Sequence, residues 1–367
     1  MKILFDHQAF TVRYGGVSRY FYDLMVTLRQ KNVPTRLSIL LSNNVYLQES
    51  DAFRVQSFRY FLGFMPTSML VSQVNRLWSI AQLRQNDYDV FHPTFFHPYF
   101  LKHTRKPYVL TYHDAIKDKF GEKFGHIDNA SKELKQQLLD RAARVIAVSE
   151  NTKTDLVELF RIQPEKIAVV HHATAFQHLT VPNSFQIPTP DAYFLYVGAR
   201  NDYKNFLPFL KGLAPTFHQH PHVHLICAGG GAFTLEETGA IRQMGLENRV
   251  SQRSIDSDAV LYRLYQRALA FVYPSLYEGF GIPILEAFAA GCPVVLSRAS
   301  CFPEVAQEAA LYFDPESAEE LQQQLQTVIQ DEDLRQTLRQ KGQERGRDFS
   351  LEKMASQTLQ VYQQVVS

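Results

Sequence analysis

The chain has 367 residues, enough for two domains at roughly 150 residues each. Its apolar share of 45% is that of a globular protein with a buried core, which excludes disorder as the main theme. Lys and Arg number 38 against 37 Asp and Glu, so the net charge of +1 gives no global field and no nucleic-acid partner is expected.

The opening run, Met1-Lys2-Ile3-Leu4-Phe5-Asp6, reads as a strand cut short by an acid. It lacks the longer apolar core of a signal peptide. No run of about 18 apolar residues follows, so no membrane-spanning helix is expected. Further strands are expected over 37–41, 90–91, 108–111, 145–148 and 167–170. These runs are almost continuously apolar, as suits parallel strands covered on both faces. Helical spacing occupies 19–28, 133–143 and 152–160, with Ser149 as an N-cap for the last. One stretch stands apart. Between Asp51 and Asp87 there is no acid, while Arg54, Arg59, Arg76 and Arg84 are interleaved with Phe53, Phe58, Tyr60, Phe61, Phe64, Met65, Met69, Leu70 and Trp78. Two settings suit it: an anionic membrane surface, or a helical hairpin packed on the first domain with arginines at its rim.

Residues 174–191 break the pattern with Pro182, Pro188 and Pro190 and read as a linker. Strands then resume over 194–197, 223–227, 269–273, 294–296 and 311–313. Helices are expected over 205–217, 235–244, 258–267, 283–289, 318–329, 332–345 and 352–365. The division is therefore a first α/β domain over 1–173, a linker over 174–191, a second α/β domain over 192–348, and a C-terminal helix over 349–367. Two such α/β domains leave a cleft, and open parallel sheets bind ligands at the carboxyl ends of their strands. Cys227, Cys292 and Cys301 form no CxxC pair. Cys227 reads as core, and a reducing compartment fits best.

The chemistry concentrates in Tyr273-Pro-Ser-Leu-Tyr-Glu278-Gly279-Phe280-Gly281-Ile282-Pro283-Ile-Leu-Glu286. A strand end, a glycine loop and a helix start form a geometry that holds phosphate or sugar oxygens on backbone N–H groups. Pro283 suits the first helical position, with Glu286 in the first turn. The two glutamates cannot share one continuous helix and so reach different parts of an extended ligand. Arg200 and Lys204 follow another strand end, where two cations suit an anionic ligand or are the ordinary surface charges of an exposed loop. His113-Asp114 sits at a third strand end. His92, His97, His171 and His172 have no metal-site spacing and read as structural or rim residues. Gly229-Gly230-Gly231 fails the G-x-G-x-x-G test at Thr234 and no P-loop string occurs. These glycines instead let backbone pass near a nucleotide base.

The Glu278–Glu286 string resembles the Glu-x7-Glu element of the retaining glycosyltransferases of family 4, whose GT-B fold implies two Rossmann-like domains facing across a cleft and a C-terminal helix, here 349–367, that crosses back to the first. Tyr196-Val197-Gly198-Ala-Arg200 with Lys204-Asn205 is similar to their phosphate-binding loop, and Cys301-Phe302-Pro303-Glu304-Val305 to their Leu-Pro-Glu-Val string. Gly15-Gly16-Val17-Ser18-Arg19-Tyr20, His92-Pro93-Thr94 and Thr111-Tyr112-His113-Asp114 resemble the branch that makes bacterial surface polysaccharides, often with GDP-mannose. Tyr203 stands where many members have an arginine, Leu351 where a tryptophan is usual, and Phe302 where a leucine is usual.

The resemblance implies transfer of a hexose, mannose from GDP-mannose above all, from a nucleotide diphosphate sugar to a glycan or lipid-linked acceptor, with retention. It implies catalytic roles for Glu278, Arg200, Lys204 and His113. Glu278 would orient the sugar and Glu286 would take the ribose hydroxyls. Gly15 and Gly16 would bind substrate in the first domain. Gly229, Ile255, Gly279, Phe280, Gly281 and Ile282 would do so in the second. No cofactor and no metal are expected, since the cations and a helix N-terminus supply positive charge. The setting implied is cytoplasmic, at the inner face of the plasma membrane. The rival readings are a UDP-sugar transferase with a soluble acceptor, a nicotinamide-dependent oxidoreductase, and a non-catalytic nucleotide-sugar binder.

Overall fold

The computed structural model describes residues 1–50, 52–53, 55–57, 67–121, 130–200 and 202–366. These fall into two compact units, one holding 1–119, 130–173 and 351–366, the other 120–121 and 174–350.

In the first unit the elements run β1 (Ile3–Asp6), α1 (Gly16–Gln30), β2 (Thr35–Ser38), α2 (Val45–Gln48), α3 (Thr67–Gln85), β3 (Val90–His92), β4 (Val109–Tyr112), α4 (Ile116–Phe120), α5 (Lys132–Arg141), β5 (Arg144–Ala147), α6 (Glu150–Phe160) and β6 (Ile167–Val169). The strands pair in the orders β2-β1-β3 and β4-β5-β6, all parallel, and a Phe91–Tyr108 bridge joins the two sets. β1, β3 and β4 are buried along their whole length, which is why their sequences are apolar without alternation. Ser149 caps α6 by accepting from the Thr152 N–H. β2 lies two residues earlier than the apolar run 37–41 suggests. The Leu40 and Leu41 N–H groups donate instead to Asn75 Oδ1, 3.0 Å away in both cases, so the ladder stops at Ser38.

Asn75 belongs to α3, which buries polar side chains and leaves large apolar ones exposed. Its buried side holds three polar residues, Asn75 at 1% exposed, Ser79 at 0% and Gln82 at 8%, beside the apolar Val71 and Leu83. Ser79 Oγ meets His7 Nδ1 at 2.9 Å and donates to the Ser38 carbonyl at 2.8 Å. The exposed side carries large apolar residues, Met69 at 70% and Leu77 at 64% exposed, among polar ones such as Gln73 and Arg84. No acid lies anywhere in the helix. Arg54, Arg59, Phe58, Tyr60, Phe61, Phe64 and Met65 lie outside the described residues.

The second unit contains β7 (Ala192–Val197), α7 (Phe206–Gln219), β8 (Val223–Ala228), α8 (Leu235–Gln243), β9 (Val250–Arg253), α9 (Asp258–Arg267), β10 (Ala270–Tyr273), α10 (Ile282–Ala289), β11 (Val294–Ser297), α11 (Phe302–Ala306), β12 (Ala310–Phe313), α12 (Ala318–Gln330) and α13 (Glu332–Gly346). Its sheet is parallel throughout, in the order β12-β11-β10-β7-β8-β9. The chain starts at the centre with β7, builds outward to β9, then returns to β7's other side with β10. The strand order therefore reverses between β7 and β10, where doubly wound sheets open a crevice. β9 is absent from the sequence expectation because Val-Ser-Gln-Arg has one fully buried position, enough for a strand that pairs on one edge only. Cys227, Cys292 and Cys301 are free and buried.

The last helix, α14 (Leu351–Val366), belongs to the first unit. It packs on α1. Met354, Ala355, Val361 and Tyr362 complete the apolar cluster of Phe5, Phe21 and Leu24. Among the described residues no helix is long and apolar enough to cross a membrane.

Candidate active site

The loops after β7 and β10 flank the reversal point. After β7 the chain turns at Gly198, makes a short turn of 3-10 helix over Asp202–Lys204, and enters α7 through Asn205, whose φ of 57° is left-handed. The Leu276 N–H after β10 donates to the Tyr203 carbonyl at 2.8 Å and locks the two loops together. Lys204 Nζ then lies 2.6 Å from Glu278 Oε1 and 3.0 Å from the Tyr273 hydroxyl. Both charged side chains are nearly enclosed, 12% and 11% exposed. Pairing is what lets two charges sit there, since an isolated one would carry a desolvation cost of several kcal/mol. Burial, reinforced by the neighbouring Glu278 charge, pushes the Tyr273 phenol well above its ordinary range, so it stays neutral.

Glu278 is also held by its backbone. Its N–H donates to Ser300 Oγ at 3.0 Å and its carbonyl accepts from Cys301 Sγ at 3.3 Å. Ser300 has a φ of 46°, a costly conformation for a non-glycine residue that concentrates at functional sites. The loop continues to Gly281, the N-cap of α10, with a φ of 93°. A Cβ there would lie 3.0 Å from the Phe302 ring. Ile282 is the first helical residue, so Pro283 is second rather than first, and Glu286 falls in the second turn rather than the first. Glu286 Oε2 accepts from the Tyr265 hydroxyl at 3.1 Å. The Tyr265 phenol is raised well above normal by burial and by the Glu286 charge.

Beyond β8, Gly229, Gly230 and Gly231 all have positive φ. Ile255 lies against them: a Cβ on Gly229 would be 3.3 Å from its Cδ1. Arg200 was expected at a diphosphate. Its guanidinium is 3% exposed and paired with Glu237, Nε to Oε1 at 2.8 Å. It also donates to the Gly229, Gly231 and Ala232 carbonyls.

In the first unit, Gly15 is the N-cap of α1 and Gly16 its first residue. His113 follows β4 directly. Its ring stacks on His172 with centroids 5.4 Å apart and planes at 9°, and meets Tyr20 and Phe21 edge-on. Its Nε2 is enclosed and has no hydrogen-bond partner. Burial lowers the imidazole to about 3, so it is neutral near pH 7. His92 is lowered to about 3 chiefly by burial. It joins the Tyr362 hydroxyl at 2.6 Å to Thr111 Oγ1 at 3.0 Å.

The sequence reading gave no site role to Tyr273, Tyr265, Ser300 or Glu237. For Glu237 a signal existed: Thr234-Leu-Glu-Glu237 is a capping box, and both of its hydrogen bonds form at the start of α8. Among the described residues no three His, Cys, Asp or Glu side chains converge as a metal site.

Residues 14–175 match the family model described as Glycosyltransferase Family 4, and residues 179–345 match that of Glycosyl transferases group 1. The chain belongs to glycosyltransferase family 4. It is thus a transferase with the GT-B fold of two Rossmann-like domains. It is 25% identical to the O-antigen chain mannosyltransferase B of Escherichia coli, over 99% of both chains. It is 32% identical to the GDP-mannose:cellobiosyl-diphosphopolyprenol alpha-mannosyltransferase of Xanthomonas oryzae pv. oryzae, over 55% of this chain and 52% of the relative. The crystal structure of Anabaena Alr3699/HepE in complex with UDP and glucose superposes with a TM-score of 0.77 at 18% identity, over 99% of this chain and 100% of that one.

Proposed function

We propose that this glycosyltransferase moves mannose from GDP-mannose to a hydroxyl of a glycan or lipid-linked acceptor during surface polysaccharide synthesis, with the anomeric configuration retained. The observation that carries the reading is the Lys204–Glu278 pair at the reversal point of the second sheet. The choice of mannose and of the guanosine nucleotide follows the names of the two relatives.

Lys204 meets the diphosphate, and its charge offsets what the leaving phosphate gains. The N–H groups from Gly279 to Ile282 at the start of α10 add to that field. Glu278 orients the transferred sugar, and Glu286, held by Tyr265, takes the ribose hydroxyls. In the first unit, Gly15, Gly16 and His113 belong to the acceptor. The sugar C1–O bond to phosphate breaks as the acceptor oxygen bonds to C1 on the same face, and the acceptor proton passes to the departing phosphate. No protein nucleophile is needed, unlike in retaining glycosidases with their two close carboxylates.

The exposed apolar residues of α3 support a place for this reaction at the cytoplasmic face of an anionic membrane. A helix with Met69, Leu70, Leu77 and Trp78 outward, Arg76 and Arg84 beside them and no acid suits a lipid interface better than water. Each arginine adds ~1 kcal/mol near an anionic leaflet.

The direct test is thermal unfolding with GDP-mannose, GDP, UDP-glucose and NAD. Stabilisation by the guanosine compounds is expected, ~2.7 kcal/mol at about 100 times Kd. Stabilisation by NAD alone would overturn the reading. Flotation tests the location: recovery with anionic vesicles should exceed that with neutral ones, fall with salt, and drop in Leu77→Gln/Trp78→Gln. Equal recovery in every arm overturns the membrane assignment.

A further inference from the structure

We propose that Arg200 and Glu237 form a clamp that shapes the Gly229–Gly231 loop, and that the loop, rather than the guanidinium, meets the nucleotide of the donor. The inference rests on reading this sheet end as the nucleotide-sugar site. Arg200 is then a positioning residue, and Glu237 is its partner in that role.

The guanidinium has little left to offer a ligand. Nε donates to Glu237 Oε1 at 2.8 Å, Nη1 to the Gly229 carbonyl at 3.2 Å, and Nη2 to the Gly231 and Ala232 carbonyls at 3.0 and 2.9 Å. Of five N–H groups, one on Nη1 remains. The cation also lies over the Phe233 ring, 4.8 Å from its centroid. Glu237 is equally engaged. Its Oε2 accepts from the Thr234 N–H at 2.7 Å, and its own N–H donates to Thr234 Oγ1 at 3.1 Å. With side chains only 3% and 6% exposed, neither can leave without stranding the other as a buried charge.

The clamp has a directional consequence. In a trans peptide the C=O and N–H point opposite ways. Carbonyls of Gly229 and Gly231 drawn onto Arg200 therefore turn the N–H groups of Gly230 and Ala232 to the far side of the loop. The Gly230 carbonyl also faces Nη2, at 3.5 Å, which turns the Gly231 N–H the same way, and successive N–H groups turned to one side make an anion-binding concavity. The loop has room for this only as glycine. A Cβ on Gly230 would stand 2.5 Å from the Gly198 carbonyl and 2.7 Å from Arg200 Nη1.

The test is a double-mutant cycle of Arg200→Gln, Glu237→Gln and the pair, read as donor KM and kcat separately, with direct GDP binding alongside. If the loop is what meets the donor, each single variant raises the donor KM by about ten- to a hundred-fold. Turnover then stays within a few-fold, and the pair does no worse than the worse single variant. A collapse of kcat in Arg200→Gln, with Glu237→Gln near wild type, would put the guanidinium on the reacting phosphates and overturn the clamp. Should Arg200→Gln fail to fold, Glu237→Gln decides: an unchanged KM overturns the proposal, a raised one supports it. Wild-type protein without affinity for any nucleotide or nucleotide sugar would fail the donor reading itself, which sets that failure apart from failure of the clamp.

Discussion

Lys204 and His113 both stand just beyond parallel strands, one in each unit, and both are largely enclosed. The two loops meet that burial in opposite ways. Around Lys204 the charge is kept, because Glu278 lies 2.6 Å away and the Tyr273 hydroxyl completes the contact. Around His113 the charge is given up. Aromatic rings and a second imidazole surround it, and burial holds it neutral. One arrangement suits an ionic ligand that can take over a paired cation. The other suits a neutral ligand held by shape.

The largest effect expected from breaking this contrast is in Lys204→Ala. It removes the cation proposed for the diphosphate and leaves Glu278 buried without its partner. Turnover should fall roughly 10²–10³-fold in a steady-state assay with nucleotide sugar. Near-normal turnover would make Lys204 a purely structural partner of Glu278.

The next test separates the two carboxylates. Glu286→Ala should raise donor KM more than it lowers kcat, since a ribose contact is made equally before and during the reaction. Glu278→Ala should lower kcat more than it raises KM. Identical kinetic patterns in the two variants would mean that the distinct partners of these residues, Lys204 and Tyr265, do not translate into distinct roles.

The last effect, on stability and not on rate, belongs to the neutral cluster and appears on acidification. Unfolded imidazoles take up protons near 6.5, whereas folded His92 and His113 hold out to about 3. Between those values the unfolded state binds more protons, so stability falls as pH drops below 6.5. The slope is about 1.4 kcal/mol per pH unit for each such group. Thermal unfolding between about pH 7 and 5 should show this loss, with a shallower slope in His92→Gln. A midpoint indifferent to pH would mean that these rings are not closed off from water.

The contrast itself was only half legible in the sequence. Lys204, Glu278 and Glu286 stand out because glycine, proline and acid occur at fixed local spacing after apolar runs. Their partners do not. Tyr273 is 69 residues from Lys204, and Ser300 is 22 from the backbone it supports. Only the strand order brings them together. Arg200 shows the same limit: a cation after a strand end is visible in the sequence, but its engagement by Glu237, 37 residues away, is not. In the fold, buried strands were readable from their apolar runs. β9 escaped because an edge strand needs little apolar surface. The end of β2 was misplaced because one asparagine on α3 captures two backbone donors.

The position of α14 also bears on how the chain is made. Tyr362 and Met354 fill the core of a unit whose other strands come from the first 170 residues. A ribosome delivers those strands early and the helix that finishes their packing last, after the whole of the second sheet. During synthesis the second unit can therefore complete its core while the first still exposes the apolar bed for α14, including Phe21 and Leu24. His92 waits through that interval for the Tyr362 hydroxyl, so the first-made half of the protein is the last to become native.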